Sequence, residues 1–177
     1  MATQPIQINR APVLTLWASI VAERLGFDHD EALSLGKALA GLTAQSKGRR
    51  LGIFNAGEKG AREARKNKHG EEFFIGLMGR QIPAANTPDG IRALNKDALQ
   101  QPDASQRYIE SKFGEHLDTC VTAMTKLAGA YPAAELDQAA FGLYEQFRPS
   151  VPAGAKGWGA KGELKLDTIR RLTARAK

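Results

Sequence analysis

The fold turns on residues 12–42, which read PVLTLWASIVAERLGFDHDEALSLGKALAGL. Leu14, Trp17, Val21 and Leu25 recur at spacings of three and four, and Val13, Leu16 and Ile20 widen the stripe. That period predicts an amphipathic helix with one broad apolar face. Pro12 suits the first turn, where the N–H it lacks would have no partner. Gly26 supplies a C-terminal stop. A second helix starts at once: Asp28 is an N-cap residue, and Glu31 follows at capping-box spacing. Ala32, Leu35, Leu39 and Leu42 form its apolar face. Gly36 and Gly41 weaken it but permit close approach to a neighbour. The short link Gly26-Phe27-Asp28-His29 predicts that the two helices pack on each other.

The spacing around the link resembles a helix-turn-helix. Ala22 stands four residues before Gly26, Leu25 and Phe27 flank the turn, and Ala32 and Leu35 fall at apolar contact positions. Charge argues against the second helix as a reader of bases. Its start carries Asp28, Asp30 and Glu31, which would repel phosphates where a recognition helix approaches DNA. Acids there complement the helix dipole instead.

Working outward, residues 61–68 read as a short basic helix with Arg62, Arg65 and Lys66 on one face. Gly48, Gly52, Gly57 and Gly60 make the approach to it loop-like. Phe73, Phe74, Ile75, Leu77 and Met78 predict a strand, with a turn at Gly79-Arg80 and a short return at Gln81-Ile82. Pro83 and Pro88 bound this hairpin, which spans about residues 72–83. Helix, helix, short basic helix and hairpin is the element order of a winged-helix domain. That analogy would put Arg62, Arg65 and Lys66 on the reading helix and Arg80 at the wing tip.

The second half predicts a long helix capped by Asp103. Its stripe is Tyr108, Phe113, Leu117, Val121, Met124 and Leu127, ending near Gly129. Pro132 opens another helix, with Leu136, Ala140, Leu143, Tyr144 and Phe147 facing the core. The tight turn between them predicts an antiparallel pair. From Arg148 on, prolines and glycines punctuate a structure-poor stretch, until Asp167 caps a short helix with Ile169 and Leu172 inward. The expected fold is mainly α: a helical bundle of two helix hairpins with a small β-hairpin. Residues 1–100 form an N-terminal helical region with the basic segment, 101–148 a helical hairpin, and 149–177 a basic Gly/Pro-rich tail.

Charge is segregated along the chain. Residues 47–68 hold eight basic and two acidic side chains, a net +6; residues 148–177 hold eight and two again. The net charge of the whole chain is also +6, so the remainder is acidic by the same amount. Such segregation creates a field that attracts polyanions. Cys120 is the only cysteine, which excludes an internal disulfide. No secretory signal or span-length apolar run is visible, so the expectation is a cytoplasmic protein without membrane contact.

The leading functional expectation is nucleic-acid binding, DNA before RNA. The candidate residues are Lys47, Arg49, Arg50, Lys59, Arg62, Arg65, Lys66, Lys68 and Arg80. The Arg49-Arg50 pair beside Gly48 is the preferred phosphate anchor, because guanidinium forks bind phosphate in a bidentate way. Trp158, between Gly157 and Gly159, could stack on a base or pin the tail to the core. Two other classes stand beside this reading. One is a homo-oligomer joined through charge-complementary surfaces; the other is an enzyme of unrecognised type.

No catalytic pattern is complete. His116 and Cys120 share a helical face, but Cys120 lies beside the apolar stripe and reads as a buried thiol. Ser34-x-x-Lys37 lacks the Ser-Asp-Asn and Lys-Thr-Gly elements of acyl-enzymes. Glu71 and Glu72 would point to opposite faces of a strand. There is no Walker A order and no zinc-ligand spacing, so no cofactor or metal is expected.

Overall fold

The computed structural model describes residues 6–50, 72–95, 98–150 and 161–176. Helix α1 (Arg10–Arg24) is its central element, buried at every residue from Pro12 to Ala22. Helices α2 (His29–Arg50), α3 (Pro102–Phe113), α4 (Leu117–Gly129) and α5 (Ala133–Phe147) all pack on it. The sequence predicts one apolar face, yet α1 is covered all round. Thr15, Ala18, Ser19 and Ala22 are small enough to be enclosed, and the two hydroxyls are satisfied within the helix. Thr15 Oγ1 donates to Ala11 O at 2.9 Å, and Ser19 Oγ donates to Thr15 O at 2.8 Å.

The turn into α2 follows the sequence closely. Gly26 has φ +114°, a left-handed region that glycine enters without steric cost. Glu31 N–H donates to Asp28 Oδ1 at 2.8 Å and Asp28 N–H donates to Glu31 Oε1 at 3.2 Å, a complete capping box. Gly36 is the contact point with α1. A Cβ there would lie 2.6 Å from Thr15 O and would collide with Ser19 Oγ. Helix α2 runs on through Gly48 to Arg50, so Lys47, Arg49 and Arg50 continue a helix where a loop was expected.

The predicted hairpin exists and belongs to a larger antiparallel sheet. Strands β2 (Glu72–Leu77), β3 (Arg80–Thr87), β4 (Gly90–Asn95) and β5 (Ala98–Leu99) form a meander in that order. The first turn is Met78-Gly79, one residue earlier than predicted, with Leu77 paired to Arg80. Both turn residues have positive φ, 53° and 78°, as a type I′ turn requires. Pro83 lies inside β3 rather than ending it. It pairs with Phe74 of β2, while pairing with β4 starts only at Ala84, so no ladder bond is lost to its missing N–H.

Helix α2 fastens the sheet. Glu31 Oε2 accepts the Ile91 N–H at 3.1 Å. Buried Ser34 accepts the Ala93 N–H at 2.8 Å and donates to Gln100 O at 2.6 Å. Ile82 and Ala93 join the helical core from this sheet.

The long helix expected from Asp103 to Gly129 is broken. Gly114, at φ 55° and ψ −129°, ends α3, and a short 3-10 turn (Gly114–His116) leads into α4. Gln101 holds the N-cap position of α3 with Pro102 at N1, so Asp103 sits in the first turn. Helix α5 buries all five predicted core residues. Trp17 Nε1 donates to Ala140 O at 3.0 Å, and its ring meets Phe147 edge-on at 5.3 Å. Both rings are buried, so the contact adds to the burial of two large apolar surfaces.

The tail is more regular than its glycines suggest. Strand β1 (Ile6–Asn9) pairs antiparallel with β6 (Lys161–Leu164), and Ser150 bridges to Glu163. Helix α6 (Leu166–Ala176) follows, with Leu166, Ile169 and Leu172 buried. Asp167 lies in its first turn rather than at the cap. Helix α6 packs on α4 and α5. Helices α4 and α5 are joined by the predicted tight turn, but they pack chiefly on α1 and α6. The fold is thus mostly helical, with small antiparallel sheets.

Candidate nucleic-acid interface

The described residues place only part of the expected site. Lys47, Arg49 and Arg50 lie in the last turn of α2. Lys59, Arg62, Arg65, Lys66, Lys68 and Trp158 lie outside the described residues, as does the short basic helix of the winged-helix analogy. Arg80 is described, and its position differs from a wing tip. It opens β3, with its guanidinium 5.4 Å from the centre of the Phe141 ring on α5. The turn beside it is tied down too: Met78 N–H donates to Asp137 Oδ1 at 2.7 Å. The left-handed Met78 costs about 1–2 kcal/mol of backbone strain, and this bond to α5 holds it in place. The hairpin end therefore docks on the helical body instead of projecting.

A second basic surface is better defined. On α6, Leu166, Ile169 and Leu172 face inward, which turns Arg170, Arg171 and Arg175 to solvent. Lys165 is exposed just before the helix. Arg171 and Arg175 are one turn apart and share the outer face. Arg170 leans toward α4, where it lines a groove of about 670 Å³ with Lys126, Asp118, Thr119, Thr122 and Thr173. Thr122 donates to Asp118 O at 2.9 Å and Thr173 to Ile169 O at 3.0 Å. Their protons are used within their own helices. Arg170 Nη1 meets Asp167 Oδ1 at 3.5 Å across an exposed helix turn. Such a pair contributes little in water and leaves α6 with three arginines against one acid.

The two basic regions keep different company. Helix α2 packs on α1, α3, β3 and β4, whereas α6 packs on α4 and α5. Arg92 is no part of either surface, being buried and donating to Ile91 O at 2.9 Å.

The remaining candidates are structural. Cys120 is fully buried, and burial pushes its thiol up to about 12. His116 is exposed, 3.8 Å from Glu115 Oε1, so the two do not form a nucleophile pair. Ser34 is committed to the sheet, and Lys37 lies with Nζ 4.4 Å from the Tyr108 ring centre. Burial lowers the Lys37 pKa. Among the described residues there is no cluster of three or more metal-ligating side chains and no helix long and apolar enough to cross a membrane.

Sequence reading noticed the charges of the C-terminal segment but not their face. The apolar triplet Leu166, Ile169, Leu172 carried that signal. The α4–α6 groove had none, because it depends on how two distant helices meet. Comparison with protein-family models, with curated proteins and with solved structures found no match.

Proposed function

We propose that this protein binds nucleic acid, duplex DNA first, through the exposed arginine face of α6, with Lys47, Arg49 and Arg50 at the end of α2 adding to the field. The observation that supports this most is the orientation of α6. Its apolar residues fix it on α4 and α5, and Arg170, Arg171 and Arg175 are presented on a rigid element rather than a loop. Guanidinium groups bind phosphate through two parallel hydrogen bonds and resist deprotonation. A cationic helix also fits the width of the B-DNA major groove. Contacts of this kind position a protein on the backbone without reading sequence.

The test is fluorescence anisotropy with a labelled duplex across a salt series. Three phosphate contacts predict a log–log slope of about −2.7, or roughly 40-fold weaker binding between 50 and 200 mM salt. Absence of binding at 50 mM salt would overturn the reading.

A further inference from the structure

The groove between α4 and α6 carries a separate inference. Its α4 wall changes sign along the helix, with Asp118 in the first turn and Lys126 in the last. Both line the groove. They are eight positions apart in the sequence, about 12 Å along the axis at the helical rise of about 1.5 Å per residue. Both side chains are exposed, and among the described residues neither has an ion-pair partner. Between them, Thr122 has committed its hydroxyl proton to Asp118 O, and on α6 Thr173 has committed its own to Ile169 O. A hydroxyl in that state offers only lone pairs, so both threonines are acceptors toward a ligand. The apolar part of the lining is Ala123 and Ala174; among the described residues no aromatic or large aliphatic side chain lines the space.

A space of about 670 Å³ is the size of a small-molecule site, and its lining selects the kind of molecule. With no ring or long aliphatic chain, it gives nothing for a base to stack on or an acyl chain to bury against. A simple anion would be attracted by Lys126 and opposed by Asp118. A molecule with a cation at one end, an anion at the other and N–H donors between them matches the order of charges and acceptors. We propose that the groove binds a short free peptide of small residues. Its terminal ammonium pairs with Asp118, its terminal carboxylate with Lys126, and its amide N–H groups donate to Thr122 and Thr173. An extended tripeptide spans about 10 Å at about 3.3–3.6 Å per residue, close to the separation of the two charges. Asp118 and Lys126 are no part of the duplex-binding face of α6, so the site stands whether or not that face binds DNA.

Titration of the isotope-labelled full chain with trialanine, followed by NMR, tests it. Saturable shifts are expected in the amides of residues 118–126 and 170–174, with a dissociation constant on the order of 1 mM. No saturable shift there at about ten times that concentration would overturn the proposal. N-acetyl-trialanine and trialanine amide each lack one terminal charge, and each is expected to bind about 3–5-fold more weakly, as an exposed ion pair allows. Equal affinity for all three peptides would overturn it. Both charged side chains are exposed, so Asp118→Asn and Lys126→Gln should fold as the wild type does. Asp118→Asn is expected to abolish the cost of acetylation while keeping that of amidation, and Lys126→Gln to do the reverse. A cost of acetylation that survives in full in Asp118→Asn would contradict the assignment. Tighter binding of glucose 6-phosphate than of trialanine would also overturn it, since that ligand is anionic at one end and uncharged at the other.

Discussion

The seam between α1 and α2 and the groove between α4 and α6 are both helix–helix contacts, built on opposite plans. At the seam, Gly36 lets the backbone of α2 reach Ser19 and Thr15 with no space left. At the groove, Thr119, Thr122, Lys126, Arg170 and Thr173 line a space of about 670 Å³. Small residues at a contact let two backbones close on each other at full packing density and leave no room for a ligand. The seam should therefore answer to stability measurements and the groove to binding measurements.

The largest expected effect is Trp17→Ala. It removes a fully buried ring, its edge-on contact with Phe147 and its bond to Ala140 O. A loss of about 3–5 kcal/mol is expected in urea unfolding. Gly36→Ala comes next, at about 2–3 kcal/mol, because the new methyl meets a backbone carbonyl that does not yield easily. A neutral result would mean that the helices separate freely and that the contrast with the groove is false. Ser34→Ala leaves the Ala93 N–H unpaired in a buried place and should cost about 1–3 kcal/mol. Thr122→Ala in the groove should stay within about 0.5 kcal/mol of wild type.

The core predicts a pH dependence as well. Burial raises the Cys120 thiol from 9.0 to about 12. Above pH 9 the unfolded chain releases this proton while the folded one keeps it. Stability should then fall as pH rises from about 9 toward about 12, and burial of Tyr144 acts in the same direction. The thiol should stay unreactive to a disulfide reagent at pH 8 until urea unfolds the protein. Rapid labelling of the folded form would show that α4 does not seal against α1.

The elements read best from sequence were those in which several local signals agreed. For α1 and α2, the apolar period, Gly26 and the Asp28–Glu31 box all pointed the same way. For α5, the five core residues followed from spacing alone. What escaped was fixed by distant partners. Strand β1 is four residues long, and its pairing with β6 joins chain segments about 150 residues apart; nothing local distinguishes either. Strands β4 and β5 follow a turn whose Pro88 read as a boundary. Gly114 was hidden inside a continuous apolar stripe, since periodicity does not report φ. As for the site, charge counting found both basic segments, but only the fold shows which arginines of α6 face out and that Arg80 is held against Phe141.

The most direct test of the central claim is the salt dependence of duplex binding in two variants. One carries Arg170→Ala, Arg171→Ala and Arg175→Ala; the other carries Lys47→Ala, Arg49→Ala and Arg50→Ala. Each lost phosphate contact flattens the log–log slope by about 0.9. If α6 is the contact surface, its variant should flatten the slope by about 2.7 and bind far more weakly, with thermal stability kept, and the α2 variant should change less. An α6 variant with the wild-type slope and affinity would contradict the account.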